Sequence, residues 1–246
     1  MSVTGESRML IDGKLVTASG GRSYPNLNPA TEEVIGQVAD ATREDMDRAI
    51  GAARRAFDTT DWSTNLPKRA RCLRQLHAAL EKHKEELRPQ IVGEVGAPIM
   101  LTYAVQQDSC IQNMLWDIEC AEKYEWEQEL GVYGFFRSKH PRGVRREPIG
   151  VAGLVTPWNF PFMLNLSKIV PALMAGCTAV LKAAPRTAGS APWIGKLHTE
   201  ETELPPGVLN IVTARDPAEV GDVLTGDPRV DMVSFTGSTA VGKHIM

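Results

Sequence analysis

The sequence predicts an α/β protein built on a parallel β-sheet flanked by helices. From Pro148 onward, short apolar runs alternate with amphipathic segments at the spacing of βαβ units. Each apolar run also ends in polar residues, as expected where parallel strands end beside a ligand. The predicted strands are "VAGLVT", "TAVLKA", "VLNIV" and "MVSFT". The predicted helices are 162–175, 188–200, 218–224 and one that starts at Ser238.

The region before this, residues 1–129, is expected to add strands and helices to the same domain. "LIDGKLV" places an Asp-Gly turn between short apolar runs and predicts a β-hairpin, and a strand is expected around 34–38. Amphipathic periodicity then predicts three helices, from Arg43, over about 66–93 and over about 102–127. Pro89 is expected to interrupt or kink the second helix.

Residues 130–148 differ in character from both neighbours. The stretch "GVYGFFRSKHPRGVRREPIG" is rich in glycine and arginine and contains β-forming Tyr and Phe. It predicts two short strands joined by a turn near Pro141. Such a hairpin is a candidate oligomerisation arm, and a plain surface hairpin fits the composition equally well.

The composition argues against several functional classes. The 246 residues carry a net charge of −3 and no basic tract, so no nucleic-acid partner is expected. The longest apolar segment, 169–184, is broken by Pro171 and Gly176 and is too short to span a membrane. The N-terminus lacks a signal-peptide pattern, so a cytoplasmic protein is expected. The histidines form no ligand pair, so no metal site is expected, and all four cysteines are expected to be buried and reduced.

Candidate functional groups follow the predicted strands. Asn159, in "VTPWNFP", is either the N-cap of the next helix or a rigidly held amide that donates to a developing oxyanion. Lys182 is either a ligand-binding cation or an ordinary strand-end lysine. Gly237 and Ser238 open a helix and suit either an anion site or a plain cap. Lys168 is either a solvated lysine or a proton shuttle, and no pair of nucleophile and base is visible.

Four stretches together resemble the aldehyde dehydrogenase superfamily, over about Leu10 to Met246. They are "NPATEEVIGQV", "REPIGVAGLVTPWNFPFMLNLSKIVPALMAGCTAVLKAA", "ELPPGVLNIV" and "DPRVDMVSFTGSTAVGKHI". The resemblance implies a Rossmann-like dinucleotide-binding unit over 149–246, with residues 130–148 as the oligomerisation arm of a homodimer or homotetramer. It also implies a small-molecule aldehyde as substrate, oxidised to a carboxylic acid with NAD(P)⁺ through a thiohemiacetal on a cysteine.

The resemblance assigns roles to particular residues. Asn159 matches the residue that stabilises the oxyanion, and Lys168 matches a lysine assigned to proton relay. The residues that match cofactor-binding positions are Val155, Thr156, Trp158, Lys182, Thr236, Gly237, Ser238 and Val241. NAD-preferring members often carry Glu three residues after the lysine, but here that residue is Pro185, which cannot accept from a ribose 2′-hydroxyl. Arg186 next to it is a candidate partner for a 2′-phosphate, so NAD and NADP both remain open.

The family's cysteine nucleophile and general-base glutamate would lie beyond Met246, where the sequence stops inside a predicted helix. We therefore expect a truncated enzyme that carries the cofactor-binding portion and is inactive alone. Two alternatives stay open at this point. One is a non-catalytic dinucleotide-binding module, and the other is a related semialdehyde dehydrogenase that reduces acyl phosphates.

Overall fold

A computed structural model describes residues 5–246, except for the side chain of Phe135. The strands are β1 (Met9–Ile11), β2 (Lys14–Val16), β3 (Ser23–Leu27), β4 (Val34–Ala39), β5 (Glu127–Phe135), β6 (Ser138–Arg145), β7 (Val151–Val155), β8 (Thr178–Lys182), β9 (Leu209–Val212) and β10 (Met232–Phe235). The helices are α1 (Arg43–Thr59), α2 (Leu66–Val95), α3 (Asp108–Lys123), α4 (Pro161–Met174), α5 (Ser190–Glu201), α6 (Pro217–Gly226) and α7 (Thr239–Ile245). Within this part of the chain, no helix is long and apolar enough to cross a membrane.

The main sheet has six strands in the order β10-β7-β8-β9-β1-β2. The first four are parallel, which confirms the predicted α/β architecture, and the strand ends align, with Val155 opposite both Lys182 and Phe235. The predicted Asp-Gly hairpin is also confirmed, because Asp12 and Gly13 both have positive φ, 53° and 71°. The hairpin pairs antiparallel with β9 and makes the sheet mixed, a pairing that the sequence does not predict.

Helices cover both faces of the sheet, which explains why its central strands are apolar throughout. Successive side chains of a strand point to opposite faces. Leu154 accordingly packs in a core with residues of α2, α4 and α5. Its neighbour Val155 packs in a second core with residues of α1 and α6. The position of α6 on the opposite face from α4 and α5 leaves room for a cleft where β7 ends.

The N-terminal helices differ from prediction in two places. Helix α2 runs through Pro89 without interruption and ends at Gly96, with φ 70°. Leu87 and Ile91, at most 1% exposed, pack in the core on either side of the proline, and this packing offsets the lost hydrogen bond. Helix α3 starts at Asp108 rather than near 102, because residues 99–107 form a short 3-10 helix followed by irregular turns; the Thr102 amide, for example, donates to the Ile99 carbonyl at 2.9 Å.

Strands β5 and β6 form a two-stranded hairpin that pairs with no other strand of the described chain. The hairpin is confirmed, but the predicted turn near Pro141 is wrong. The turn is at Phe136 and Arg137, with φ 45° and 67°, and Pro141 lies within β6 opposite Val132. A proline fits there because this strand has a free edge on its other side. The hairpin starts at Glu127, three residues before the predicted boundary.

Candidate functional site

A cleft of about 1100 Å³ lies at the carboxyl ends of β7, β8 and β10, between the loops that follow these strands and helices α6 and α7. Every residue predicted to bind a cofactor lines this cleft: Val155, Thr156, Trp158, Lys182, Thr236, Gly237, Ser238 and Val241. Asn159 lines it as well, and Lys168 does not. Parallel strands end at the same edge of a sheet, so residues far apart in sequence meet there.

The loop between β7 and α4 carries Asn159 into the cleft. Phe160, not Asn159, occupies the N-cap position of α4, and it makes no side-chain capping hydrogen bond. The helix-cap interpretation of Asn159 is therefore wrong. Asn159 is exposed, and its side-chain amide makes no hydrogen bond to any described residue. Its NH₂ group is available to a ligand, and the oxyanion-donor role stays a prediction.

Lys182 ends β8 as a buried cation without a carboxylate partner among the described residues. It is 5% exposed, and its Nζ donates only to the Ala183 carbonyl, at 3.4 Å. Burial lowers the pKa of Lys182 to about 8. Gly221 of α6 lies beside it, since a Cβ at that position would be 3.9 Å from Cδ and Cε of the lysine. Burying an unpaired ammonium group costs folding free energy. A polar or anionic ligand at this end of the cleft would offset that cost.

The turn between β10 and α7 forms another wall of the cleft. A Cβ on Gly237 would lie 2.5 Å from the ring of Phe235, so the turn requires glycine there. Ser238 is the N-cap of α7, and its Oγ accepts from the amide of Val241 at 3.3 Å. The cap interpretation of Ser238 is thus confirmed, and Ser238 also lines the cleft.

Lys168 is not among the residues that line the cleft. Its Nζ donates to Oγ of Ser234 in β10 at 2.7 Å. Because side chains alternate along a strand, Ser234 points to the opposite face of the sheet from Phe235, which lines the cleft. Burial lowers the pKa of Lys168. The proton-relay role of Lys168 stays a prediction.

The cleft contains no thiol among the described residues. Cys72, Cys110 and Cys177 are buried as predicted, whereas Cys120 on α3 is exposed, so the prediction of four buried cysteines is wrong. Burial raises the pKa of Cys110 to about 12, which leaves a poor nucleophile. Residues 5–246 also hold no group of three or more residues suited to bind a metal ion.

Sequence reasoning missed the outer wall of the cleft, which α6 provides. Ala218, Gly221, Asp222 and Thr225 line the cleft from this helix. The last three lie three, four and seven residues after Ala218, which places all four on one face of a helix. This spacing was the sequence signal that could have identified them. His244 of α7 closes the same end, with its Nε2 3.0 Å from Oδ1 of Asp222.

Parallel strands with a crevice where the strand connections reverse define an α/β protein of the Rossmann-like class. Residues 15–246 match the model of the aldehyde dehydrogenase family. The chain therefore belongs to the aldehyde dehydrogenase family, as the sequence motifs predicted.

Individual relatives agree with this assignment. Over 237 residues the chain is 39% identical to a 3-succinoylsemialdehyde-pyridine dehydrogenase of a Pseudomonas species, which covers 96% of this chain and 47% of the relative. It is 35% identical to a D-glyceraldehyde dehydrogenase (NADP(+)) of Thermoplasma acidophilum, with 98% and 47% covered. The NAD⁺ complex of an aldehyde dehydrogenase from Bacillus cereus superposes with a TM-score of 0.92 at 34% identity, over 100% of this chain and 49% of that one. The chain thus spans about half the length of these proteins.

Proposed function

We propose that the chain is the cofactor-binding portion of an NAD(P)⁺-dependent aldehyde dehydrogenase that oxidises an aldehyde to a carboxylic acid. One observation carries the proposal: a single cleft is lined by Asn159 and by every residue predicted to bind the cofactor. Family membership and the described NAD⁺ complex of the Bacillus cereus relative support it.

The cleft fits a nicotinamide dinucleotide. Its volume of about 1100 Å³ is slightly above the usual range for ligand pockets, as suits a large ligand. Apolar residues such as Val155 and Val241 supply walls for flat rings. Lys182 would donate to ribose hydroxyls or a phosphate, and that contact would satisfy its buried charge. When bound, the oxidised nicotinamide supplies the hydride acceptor of the reaction.

Asn159 would stabilise the negative charge that forms on the aldehyde oxygen when a nucleophile attacks the carbonyl carbon. Its Nδ2 group donates without first breaking a hydrogen bond to the described protein, as an oxyanion donor requires. Because no thiol of the described residues lines the cleft, we propose that the attacking cysteine belongs to the part of the family that these 246 residues do not span. The chain by itself is then expected to bind nucleotide without oxidising aldehydes.

We propose that NADP⁺ is accepted as well as NAD⁺. Pro185 lines the cleft near Lys182 and has no side-chain acceptor for a 2′-hydroxyl. Arg186, which follows it, is exposed and forms no ion pair with a described residue. A guanidinium in this position suits a 2′-phosphate. The Thermoplasma relative is described as an NADP(+) enzyme, which is consistent with this proposal.

The experiment is the Asn159→Ala substitution in the complete enzyme, with aldehyde-dependent formation of NAD(P)H as the assay. We expect kcat to fall by roughly two to three orders of magnitude, as for loss of other oxyanion donors. Asn159→Asp should be similarly impaired, since it keeps the shape but loses the donor. The Kd for NAD⁺ serves as the folding control and should stay unchanged. Unaltered turnover in either variant would refute the proposed role.

A further inference from the structure

We infer that Gln106 is a positioning residue that fixes the backbone of Asn159, an inference that rests on the proposed oxyanion role of Asn159. Gln106 lies in the turns before α3, far from the β7–α4 loop in sequence. It is 2% exposed, and its Nε2 donates to the main-chain carbonyl of Asn159 at 3.1 Å. No sequence motif pointed to this residue.

The orientation of the Gln106 amide follows from its partner. A main-chain carbonyl can only accept, so the NH₂ group must face Asn159. The other amide atom, Oε1, is then buried without a hydrogen-bond partner in the described structure. A buried unpaired acceptor destabilises the folded state. The unpaired atom therefore lowers the stability of the fold, while the hydrogen bond holds the Asn159 backbone in place.

A second buried side chain holds the preceding carbonyl. Thr187, from the segment after β8, is 2% exposed and donates its Oγ1 to the Trp158 carbonyl at 3.2 Å. Consecutive carbonyls of the loop are therefore held by side chains from two separate segments of the chain. Pro157 and Pro161 restrict the backbone before and after them. The loop is fixed on several sides, while the Asn159 side chain is left free.

The catalytic consequence follows from the need for preorganisation. An oxyanion donor lowers the barrier only if its position is set before charge develops. Apart from its two side-chain torsions, the location of the Asn159 amide depends on the backbone. A displacement of about 1 Å near a reacting centre costs up to about 100-fold in rate. Loss of the Gln106 donor should therefore lower kcat about tenfold and leave cofactor affinity unchanged.

Gln107 provides a matched control. It is fully buried, its Nε2 donates to the Lys84 carbonyl of α2 at 2.6 Å, and its Oε1 is also unpaired. The two neighbouring glutamines thus make the same kind of bond with the same kind of unpaired atom. Of the two glutamines, only Gln106 donates this hydrogen bond to the loop that carries Asn159.

The test compares Gln106→Met, Gln107→Met, Asn159→Ala and the double variant Gln106→Met/Asn159→Ala in the complete enzyme. We measure kcat, the Kd for NAD⁺ and Tm for each. Gln106→Met should lower kcat about tenfold and Gln107→Met less than twofold, with similar losses of Tm. In the Asn159→Ala background, Gln106→Met should cost less than a further twofold, because its effect passes through Asn159. The Kd for NAD⁺ should not change in any of them.

An independent, multiplicative loss in the double variant, or equal losses of kcat from both glutamine variants, would overturn the inference. If Asn159→Ala itself leaves kcat unchanged, the proposed function of Asn159 fails and the inference falls with it, so the two failures are distinguishable. Should Gln106→Met fail to fold, Gln106→Glu keeps the side-chain shape but only accepts when ionised. That variant must show the same loss of kcat, and wild-type turnover in it would also overturn the inference.

Discussion

Lys182 shows how a single residue of the proposed site affects stability and binding in opposite directions. Its pKa is about 8 in the folded chain, against an ordinary value of 10.5, because burial disfavours the charged form. Between these values the unfolded chain holds more protons, so stability rises with pH from about 8 to 10.5. At neutral pH the folded chain bears the full cost of the buried charge.

Lys182→Met should therefore stabilise the chain at pH 7, by roughly 3 kcal/mol at most, since one pKa unit corresponds to about 1.4 kcal/mol. The gain should shrink as the pH rises from about 8 toward 10.5, because the lysine is already neutral in the folded chain and loses its proton in the unfolded chain as well. Urea denaturation at pH 7 and pH 10 measures the difference. A less stable variant at pH 7 would show that the buried ammonium is compensated by contacts other than those described.

At the residue scale the sequence predicted which side chains belong to the site better than it predicted their local roles. The strand-end pattern predicted Asn159, Lys182 and Ser238 as site residues, and all three line the cleft. Whether Asn159 caps α4 could not be decided locally, since Phe160 takes the cap position and this depends on the backbone path. The bond from Gln106 could not be predicted, because only the packing of distant segments creates it.

At the scale of elements, the β5–β6 hairpin lacks the packing that normally stabilises such a structure. It pairs with no third strand of the described chain, and Leu130, Val132 and Tyr133 are about half or more exposed, at 58%, 67% and 49%. An isolated two-stranded hairpin is marginally stable in water. We propose that a second copy of the chain covers it and that it is the oligomerisation arm of a homodimer or homotetramer.

The substitution Val132→Lys, alone or with Leu130→Lys, should shift the assembly toward monomers, because it buries a charge at the proposed interface. Nucleotide affinity should be retained, since no residue of the hairpin lines the cleft. Sedimentation velocity measures the assembly. Leu27→Lys is the control, since Leu27 is a 47% exposed apolar residue at the end of β3. An unchanged assembly in the hairpin variants, or a monomeric wild type, would contradict the proposal.

The element boundaries that were predicted wrongly have identifiable causes. Phe136 and Arg137 adopt left-handed conformations that usually select Gly, Asn or Asp, so the sequence offered Pro141 as the more obvious turn. The residues before α3 were predicted to be helical because the apolar ones among them keep a helical spacing. Gln107 at the N-cap position of α3 makes no side-chain capping hydrogen bond, so the sequence contained no capping signal before Asp108.

At the scale of the whole molecule, the cleft arises from the order of the strands. The chain runs from β7 to β8 to β9 in one direction and then returns to place β10 on the other side of β7. Helices α4 and α5 cover one face and α6 the other, so the strand connections diverge beside β7 and leave a crevice. Periodicity predicts the strands and helices but not their order. The location of the site therefore followed from the family resemblance and the strand-end rule together.

The most direct test of the nucleotide-binding account is a titration of the chain with NAD⁺ and NADP⁺ by isothermal calorimetry. We predict saturable binding of both at one site, weakened at least tenfold by Lys182→Met, since a hydrogen bond to a charged group contributes about 1.5–3 kcal/mol. Lys196→Met is the control, because Lys196 lies on α5 outside the cleft, 5.0 Å from the centre of the Trp193 ring. Its affinity should stay within twofold of wild type. Absence of binding by the wild-type chain, or equal affinity in Lys182→Met, would contradict the account.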